Sequence, residues 1–184
     1  AADIKNGLIP ARVICEERNI YQVQFGLDET IWASIDGKIQ YNAKVRSDYP
    51  AVGDWVLIEL RENSERASIR RIGPRKSTIY RKQISGAGDA QILSTNVDYV
   101  FITTSMNEDL NSRRLERYLS MARDSGTSPI ILLTKTDLCA EEMATIEANV
   151  QSEFAGVPVH NLSKNEFEKA HFFSTYLAKG KTSV

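Results

Sequence analysis

The stretch Ile130-Ile131-Leu132-Leu133-Thr134-Lys135-Thr136-Asp137 decides how the rest of this sequence is interpreted. Its apolar residues run directly into a polar turn in which a lysine and an aspartate stand two positions apart. Gly126 and Pro129 bound the apolar run upstream, and helical patterns precede and follow it. Such a segment is typical of a buried parallel strand that ends in a functional loop. Because ligands of open α/β sheets bind outside the carboxyl ends of the strands, Lys135 and Asp137 are candidate ligand-binding residues.

The turn Thr134–Asp137 also has the spacing of the (N/T)-K-x-D motif that recognises guanine in GTPases. A carboxylate can accept hydrogen bonds from the ring N–H and the exocyclic amine of guanine, and adenine offers no such pair of donors. The lysine stem can lie along the face of the base while its ammonium group stays in water. A match of this length is common by chance, so a solvated turn without a ligand is the alternative.

Composition limits the classes of protein to consider. The 184 residues, of which 42% are hydrophobic, are enough for one large domain or two small ones with a packed core. Lys and Arg number 23 against 24 Asp and Glu, so net charge does not indicate a nucleic-acid-binding protein. The positive charge is concentrated locally, in Arg70, Arg71, Arg75, Lys76, Arg81 and Lys82.

The cysteines and the hydropathy pattern favour a cytoplasmic protein. Cys15 and Cys139 are far apart and no C-x-x-C pair occurs, so we expect two free, reduced thiols. No apolar run approaches the ~20 residues that a membrane span needs. The N-terminus lacks the basic-then-apolar pattern of a signal peptide. We therefore expect a cytoplasmic monomer that does not contact a membrane.

Residues 1–72 have the alternating pattern of short β-strands. Five strands with turns about every ten residues favour a small barrel or sandwich, and a five-stranded OB-fold barrel is the form that often binds nucleic acid. A purely structural β-domain is the alternative. The predicted strands are 11–15, 20–25, 31–35, 55–60 and 67–72, with a tight turn at Asp36-Gly37.

Residues 73–90 are predicted to be a basic connector. They contain four of the six clustered basic residues together with several glycines and a proline. A solvated linker is the plain interpretation, and a strip that contacts RNA phosphates is the functional one. On the second interpretation Tyr80 could stack on a base. The candidate RNA ligands are Arg70, Arg71, Arg75, Lys76, Arg81 and Lys82.

Residues 91–184 change to an alternation of strands and helices. The spacing of Leu115, Tyr118, Leu119 and Ala122 predicts that they form an apolar face on the first helix. This order predicts a doubly wound parallel α/β sheet. The predicted strands are 97–103, 130–133 and 157–162, the predicted helices are 111–124, 141–154 and 165–177, and 181–184 looks like the start of a further strand.

Several stretches of this chain resemble the ribosome small-subunit-dependent GTPase A family, known as RsgA or YjeQ. They are Ala51–Val56, Pro74–Ser77, Ser94–Asp98, Asn111–Leu119 and Leu133–Cys139, in the family's order. The resemblance covers most of the chain. It implies an N-terminal OB-fold barrel, then a doubly wound P-loop-GTPase-like domain that is circularly permuted, and then a zinc-binding module. The implied domains are 1–72, the connector 73–90, and 91–184 as the first part of the GTPase domain.

The resemblance also implies roles for individual residues. Thr134, Lys135, Thr136 and Asp137 would bind the guanine of GTP or GDP, which Mg²⁺ accompanies in the family. Thr134 stands where Asn is commoner. Ser163 and Lys164 are candidates for a second guanine contact through a backbone N–H, and a plain helix N-cap at Ser163 is the alternative.

In the permuted order the guanine motif precedes the phosphate-binding P-loop. Gly180-Lys181-Thr182 has the ending of G-x-x-x-x-G-K-(S/T), but Thr175 occupies the place of its first glycine. The resemblance instead makes 181–184 the strand that leads into the P-loop. We therefore expect this sequence to be the N-terminal portion of a ribosome-assembly GTPase, inactive alone, without catalytic or metal-binding residues, with zinc only in a C-terminal module.

The implied function is GTP hydrolysis in late maturation of the small ribosomal subunit, with the OB-fold bound to ribosomal RNA. The alternative is a non-enzymatic RNA-binding module whose α/β domain is degenerate. A dinucleotide-binding enzyme is disfavoured because no G-x-G-x-x-G follows a strand.

Overall fold

The computed structural model describes residues 7–60, 65–81, 91–106, 110–138, 142–164 and 171–184. The chain divides into two compact units, residues 1–96 and 97–184. No helix within these described ranges is long and apolar enough to cross a membrane.

Five strands of the first unit close into a barrel. Tyr21, Ile58 and Ile69 are fully buried inside it, because alternate side chains of each strand face the interior. Around the barrel the strand order is β1-β2-β3-β5-β4, and the pair β3–β5 is parallel while the other pairs are antiparallel. This confirms the predicted OB-like barrel. The strands are β1 (Ile9–Glu17), β2 (Ile20–Gln24), β3 (Thr30–Ile35), β4 (Trp55–Glu59) and β5 (Arg66–Ile72).

A short helix, α1 (Gly37–Asn42), follows β3 where the sequence predicted only a tight turn. Asp36 caps this helix, and its Oδ1 accepts a hydrogen bond from the backbone N–H of Lys38 at 2.8 Å. The prediction was wrong because aspartate favours a helix N-cap as well as a turn, and the local pattern does not distinguish the two.

Two further strands of the first unit were not predicted. β6 (Thr78–Arg81) and β7 (Gln91–Thr95) form an antiparallel pair. The backbone N–H of Thr95 donates to the carbonyl of Val52 at 2.9 Å, which fixes the end of β7 against the barrel. Residues 78–81 of the predicted connector are therefore built into this unit as a strand. The domain boundaries at residues 72 and 90 stay a prediction.

An ion pair joins Asp54, the residue before β4, to Arg75 in the segment before β6. Asp54 is fully buried, and Arg75 donates to both of its carboxylate oxygens at 2.8 and 2.6 Å. Arg75 also donates to the carbonyls of Ser47 and Tyr49, each at 2.8 Å. The hydroxyl of Thr95 donates to Asp54 at 2.7 Å. The hydrogen bond from Arg75 to Asp54 raises the pKa of the Arg75 guanidinium.

The second unit contains a parallel sheet. Its strands are β8 (Tyr99–Ser105), β9 (Ser128–Thr134) and β10 (Val159–Leu162), in the order β10-β9-β8. The helix α2 (Ser112–Asp124) packs against β8 and β9, and α3 (Met143–Glu153) packs against β10.

The last residues pair with the free side of β8. Phe101 donates from its backbone N–H to the carbonyl of Val184 at 2.7 Å, and Ser183 forms a parallel bridge with Tyr99. The chain therefore passes from β8 to β10 and then returns to the other side of β8. This reversal is the doubly wound order that the sequence predicted.

Aromatic side chains pack beside this returning segment. His160 on β10 stacks on Phe172 with a ring separation of 4.3 Å and shares a hydrogen bond of 2.9 Å with the hydroxyl of Tyr176. Burial lowers the pKa of His160. The described helix here is α4 (Phe173–Tyr176), which is shorter than the predicted 165–177, and residues 165–170 lie outside the described residues.

Candidate functional site

The carboxyl ends of the three parallel strands meet at one edge of the second unit. Thr134 ends β9 and pairs in register with Ser105 of β8 and Leu162 of β10. The Thr134 hydroxyl donates to the carbonyl of Thr104 at 3.1 Å, and the N–H of Met106 donates to the carbonyl of Thr134 at 3.1 Å. Two hydrogen bonds, to β8 and to the residue that follows it, therefore fix the end of the central strand.

The chain turns sharply immediately after Thr134. Lys135 has a φ of +58°, in the left-handed region that costs a non-glycine residue roughly 1–2 kcal/mol. A 3₁₀ turn follows at Thr136–Leu138, in which Thr136 is buried. Lys135 and Asp137 are exposed, and their side chains make no hydrogen bond or ion pair with other described residues. Thr136 is thus buried within the turn, and the side chains of Lys135 and Asp137 are exposed to solvent.

The second predicted guanine-contact segment lies beside this turn. Ser163 and Lys164 directly follow Leu162, which pairs with Thr134. Ser163 is buried and Lys164 is exposed. The structure thus brings both predicted segments to the same edge of neighbouring strands. The alternative of a helix N-cap at Ser163 depends on residues 165–170, which lie outside the described residues.

Two buried oxygens close to this edge have no hydrogen-bond partner within the described part of the chain. They are the hydroxyl of Thr104 and the side-chain carbonyl of Asn161, and both residues pair in register with Leu133. The amide nitrogen of Asn161 donates to Glu147 on α3 at 2.6 Å. Buried polar groups almost always have a protein or water partner, so both oxygens are available for a further hydrogen bond. Sequence reasoning missed Thr104 because a threonine is ordinary in a strand.

Lys181 lies at the opposite edge of the sheet. Its ammonium group is 3.5 Å from a carboxylate oxygen of Asp98 and 5.8 Å from the ring centroid of Tyr99, where β8 begins. The backbone N–H of Thr182 donates to Asp98 at 2.9 Å. Gly180-Lys181-Thr182 thus leads into a strand at the amino edge, whereas Thr134 ends a strand at the carboxyl edge.

Comparison with known proteins adds to this geometry. A family model described as "RsgA GTPase" matches residues 72–184, more than half of the chain. The chain belongs to the RsgA GTPase family. This confirms the resemblance that the sequence motifs indicated.

Curated RsgA proteins match almost the whole chain. "Small ribosomal subunit biogenesis GTPase RsgA 2" of Lactiplantibacillus plantarum is 39% identical over 178 residues, which cover 97% of this chain and 49% of that protein. The RsgA of Opitutus terrae is 34% identical over 182 residues, covering 95% of this chain and 49% of that protein. The chain thus spans about half the length of these curated RsgA relatives.

Solved RsgA-like structures show the same fold. YloQ, described as a circularly permuted GTPase, has a TM-score of 0.70 at 21% identity and covers 96% of this chain and 58% of its own. YjeQ from Thermotoga maritima has a TM-score of 0.73 at 18% identity and covers 96% of this chain and 59% of its own. These likenesses confirm a barrel followed by the α/β fold of a circularly permuted GTPase.

The structure separates the six basic residues that the sequence grouped as RNA ligands. Arg75 is committed to Asp54, and Arg70 forms ion pairs with Asp36 and Glu59. The pKa of Arg70 is raised chiefly by its hydrogen bond to Glu59. Both guanidinium groups therefore form ion pairs within the chain, which opposes their predicted role as RNA ligands. Of the others, Arg71, Lys76 and Arg81 are exposed, and Lys82 lies outside the described residues.

Metal binding has no candidate in the described ranges. Within them, no group of three or more His, Cys, Asp or Glu side chains could hold a metal ion. Cys15 is a free thiol, and Cys139 falls outside the described residues. The family's zinc and magnesium stay predictions for this RsgA chain.

Sequence reasoning also missed a cation–aromatic pair on the barrel. The guanidinium of Arg12 lies 5.3 Å from the ring centroid of Trp55, and Trp55 is 52% exposed. The alternation around the buried Val56 predicts that Trp55 points outward. The sequence does not reveal that Arg12, on another strand, is its partner.

Proposed function

We propose that this chain is the guanine-recognising and RNA-binding part of a GTPase that acts in biogenesis of the small ribosomal subunit. The observation that carries the proposal is the Thr134–Asp137 turn. It follows the central strand at the carboxyl edge, and it presents Lys135 and Asp137 without partners among the described residues. The names of the curated RsgA relatives support the same role for the longer protein.

Each residue of the turn has a distinct part in this proposal. The Asp137 carboxylate accepts hydrogen bonds from the ring N–H and the amine of guanine, and adenine would leave it unpaired. The stem of Lys135 covers one face of the base while its ammonium stays in water. Buried Thr136 holds the turn, and Thr134 ties it to Thr104 of β8. The backbone at Ser163 and Lys164 supplies the further contact to the base.

We further propose that these residues bind the base and leave the phosphates to other groups. Gly180-Lys181-Thr182 lies at the amino edge, beside Asp98, so it does not cradle phosphates of a nucleotide held at Asp137. No G-x-x-x-x-G-K-(S/T) occurs in residues 1–184. Binding of a nucleoside triphosphate depends strongly on contacts to its phosphates and Mg²⁺. The chain alone is therefore expected to bind guanine nucleotides weakly and not to hydrolyse GTP.

The barrel is the proposed contact with ribosomal RNA. OB-folds commonly bind oligonucleotides, and this barrel carries exposed cationic and aromatic side chains. Action on a ribosomal subunit also fits the cytoplasmic location predicted from the sequence. Of the basic residues grouped by sequence, we retain Arg71, Lys76, Arg81 and Lys82 as candidates and leave out Arg70 and Arg75, which pair internally.

The chain is titrated with GDP, ADP and XDP to test this proposal. Binding is measured by saturation-transfer NMR, because that method detects weak binding. Wild type should prefer GDP to ADP by at least about tenfold. Asp137→Asn should lose GDP and gain XDP, because an amide can donate to the carbonyl that replaces the amine of guanine. The matched control is Asp124→Asn, which changes an exposed carboxylate at the end of α2 and should behave as wild type.

Two outcomes would contradict the proposal. Equal binding of ADP and GDP would mean that the turn does not read the base. Absence of binding to wild type and to both variants would make the α/β unit a scaffold, and the alternative of a non-enzymatic RNA-binding module would stand.

A further inference from the structure

The strand that leads into the second predicted guanine contact has little apolar anchorage of its own. β10 has four residues, and all four side chains are only partly buried. Within the described part of the chain β10 is an edge strand that pairs with β9 alone. Because burial of side chains stabilises a strand as much as its backbone pairing does, the position of β10 depends on the side-chain bonds that hold it.

One such bond comes from helix α3. The side-chain amide of Asn161 donates to Oε2 of Glu147 at 2.6 Å, a short distance of the kind expected when the acceptor is charged. The other carboxylate oxygen, Oε1, accepts from the side-chain amide of Gln151 at 3.0 Å, one helical turn further along. Glu147 is therefore held by its own helix while it binds Asn161. Both Glu147 and Asn161 are partly buried, so salt screens their bond less than it screens a fully exposed pair.

Glu147 also determines which way the amide of Asn161 points. An ionised carboxylate only accepts hydrogen bonds, so the NH₂ group of Asn161 faces it and the carbonyl oxygen points away. That carbonyl oxygen is buried and has no partner among the described residues. Burial of an acceptor without a donor is costly, so another interaction must hold the side chain in this orientation. The bond to Glu147 is that interaction.

The same bond connects the elements that adjoin the two segments proposed to contact guanine, Thr134–Asp137 and Ser163–Lys164, which are called the guanine segments below. Asn161 on β10 stands two positions before the second guanine segment. Glu147 is on α3, the first α-helix after the first guanine segment. The bond therefore fixes the helix that follows one segment to the strand that precedes the other.

The first half of α3 has few other attachments. The buried residue of this helix is Val150, and its C-cap Phe154 is buried as well, so the buried apolar side chains lie at its later end. The N-cap residue Glu142 makes no side-chain capping bond within the described residues. Glu147 is the fifth of eleven residues, and its bond to Asn161 supplies a polar attachment in the half closest in sequence to the first guanine segment.

We infer that Glu147 and Asn161 are positioning residues for guanine recognition, because their bond sets the distance between the two guanine segments. Neither side chain touches the base, and each acts through the backbone of the segment next to its element. Both segments must contact one planar base at the same time, so a shift of either loses contacts that adenine does not make. The inference rests on the guanine recognition proposed above, and it adds two residues that lie outside both sequence motifs.

A second bond holds β10 from its other face and is the competing explanation. His160 shares a hydrogen bond of 2.9 Å with the Tyr176 hydroxyl and stacks on Phe172. Successive residues of a strand point to opposite faces, so His160 is on the side of α4 while Asn161 is on the side of α3. The bond from α3 is favoured because α3 follows the first guanine segment directly, whereas α4 comes after both segments in the chain.

The test measures the affinities of the full chain for GDP and ADP by heteronuclear NMR titration. Glu147→Ala removes the acceptor, and α3 is retained because alanine is the strongest helix former. It should weaken GDP binding by roughly fivefold, the effect of about one net hydrogen bond, and leave ADP binding unchanged. Glu147→Gln keeps an oxygen that can accept from Asn161, so it should stay within about twofold of wild type. The matched control is Glu153→Ala, on the same helix, which removes an exposed glutamate bonded to Ser112 and should bind as wild type.

Two further readouts separate positioning from a contribution to stability alone. In the absence of nucleotide, Glu147→Ala should shift the backbone amide resonances of Asp137 and Lys164, one in each guanine segment. Asn161→Ala should weaken GDP binding by the same factor as Glu147→Ala, and the double variant by no more than either, because all three remove one bond. A residue that only stabilised the fold would change urea unfolding without changing the ratio of GDP to ADP affinity. If Asn161→Ala does not fold, Glu147→Ala and Glu147→Gln carry the test alone.

The outcomes separate this inference from the proposed function. A wild type that prefers GDP, with the same preference in Glu147→Ala, overturns the inference and leaves guanine recognition intact. Equal losses in Glu147→Ala and Glu153→Ala also overturn it, because they assign the effect to charge. Loss of the preference in Tyr176→Phe but not in Glu147→Ala assigns the position of β10 to the bond from α4. A wild type without preference for GDP overturns the inference together with the proposed function.

Discussion

Two acidic residues of this chain have opposite surroundings, although both belong to stretches that resemble RsgA proteins. Asp54 is fully buried, and it accepts hydrogen bonds from Arg75, from the hydroxyl of Thr95 and from the backbone N–H of Ala51. Asp137 is exposed at a strand end, with no partner for its carboxylate among the described residues. The first holds the fold together, and the second is available to a ligand.

The comparison shows that a motif match does not reveal whether a charged residue stabilises the protein or binds a partner. A buried carboxylate is costly unless every oxygen is paired, so removal of its partner network should unfold the structure. An exposed carboxylate on an anchored turn contributes little to stability and can be replaced at small cost. Unfolding free energies of variants at buried and exposed positions test this contrast.

Asp54→Ala should have the largest effect. It leaves the guanidinium of Arg75 largely buried without its carboxylate, and we expect a loss of about 3–5 kcal/mol in the free energy of unfolding of the first unit. Urea unfolding followed by tryptophan fluorescence measures this unit selectively, because both tryptophans lie in residues 1–96. Asp28→Ala, at an exposed turn, is the control. A loss of less than about 1 kcal/mol would show that the pair does not stabilise the fold.

Gly53→Ala should follow with a loss of about 3 kcal/mol, because left-handed strain and a backbone collision act together. Gly53 has a φ of +95°, and a Cβ there would lie 2.2 Å from the carbonyl oxygen of Thr95. Gly7→Ala is matched in backbone conformation, with a φ of +77°, but its Cβ would meet no described residue beyond its chain neighbours within 4 Å. The same fluorescence-detected unfolding should give roughly 1 kcal/mol for that control. Equal losses in the two variants would mean that the backbone of β7 moves away from the added Cβ without a cost in stability.

The barrel was predictable from sequence because its signal is local. β4 was predicted as 55–60 and is Trp55–Glu59, and β5 was predicted as 67–72 and is Arg66–Ile72. Alternation of apolar and polar residues along each strand determines which side chains face the barrel interior. The continuous apolar run before Thr134 predicted a strand buried on both faces, and this strand is β9 at the centre of the sheet.

The β6–β7 pair and the role of Arg75 were not predictable because they depend on contacts distant in sequence. Arg75 lies in a run of basic residues, which indicates a solvated strip, yet its partner Asp54 stands 21 positions earlier. Likewise, Thr95 is held by Val52, 43 positions away. The left-handed conformation of Lys135 also escaped prediction, since lysine has no local preference for it.

Lys135→Gly tests whether the left-handed backbone conformation of Lys135 in the exposed turn lowers the stability of the second unit. Glycine should relieve the φ of +58° and raise the unfolding free energy of the second unit by up to about 1 kcal/mol. Lys135→Ala removes the same side chain and keeps the strain, so it should not be stabilised. Urea unfolding followed by circular dichroism measures both, and NMR titration with GDP should show equal weakening. A stability gain in both variants would assign the effect to charge and exclude strain.

The smallest effect is expected from the pH dependence of the second unit, where burial again decides the outcome. Burial lowers the pKa of His160, so below about pH 6.5 the unfolded chain binds a proton more readily than the folded one. Stability is therefore complete above that pH and falls as the pH drops through the folded pKa. His160→Gln should reduce this dependence by less than about 1 kcal/mol between roughly pH 7 and pH 5. His171, the other histidine, is exposed, so His171→Gln should keep the dependence of wild type in circular dichroism unfolding curves. If both variants lose the pH dependence of stability equally, burial of His160 is not the cause of that dependence.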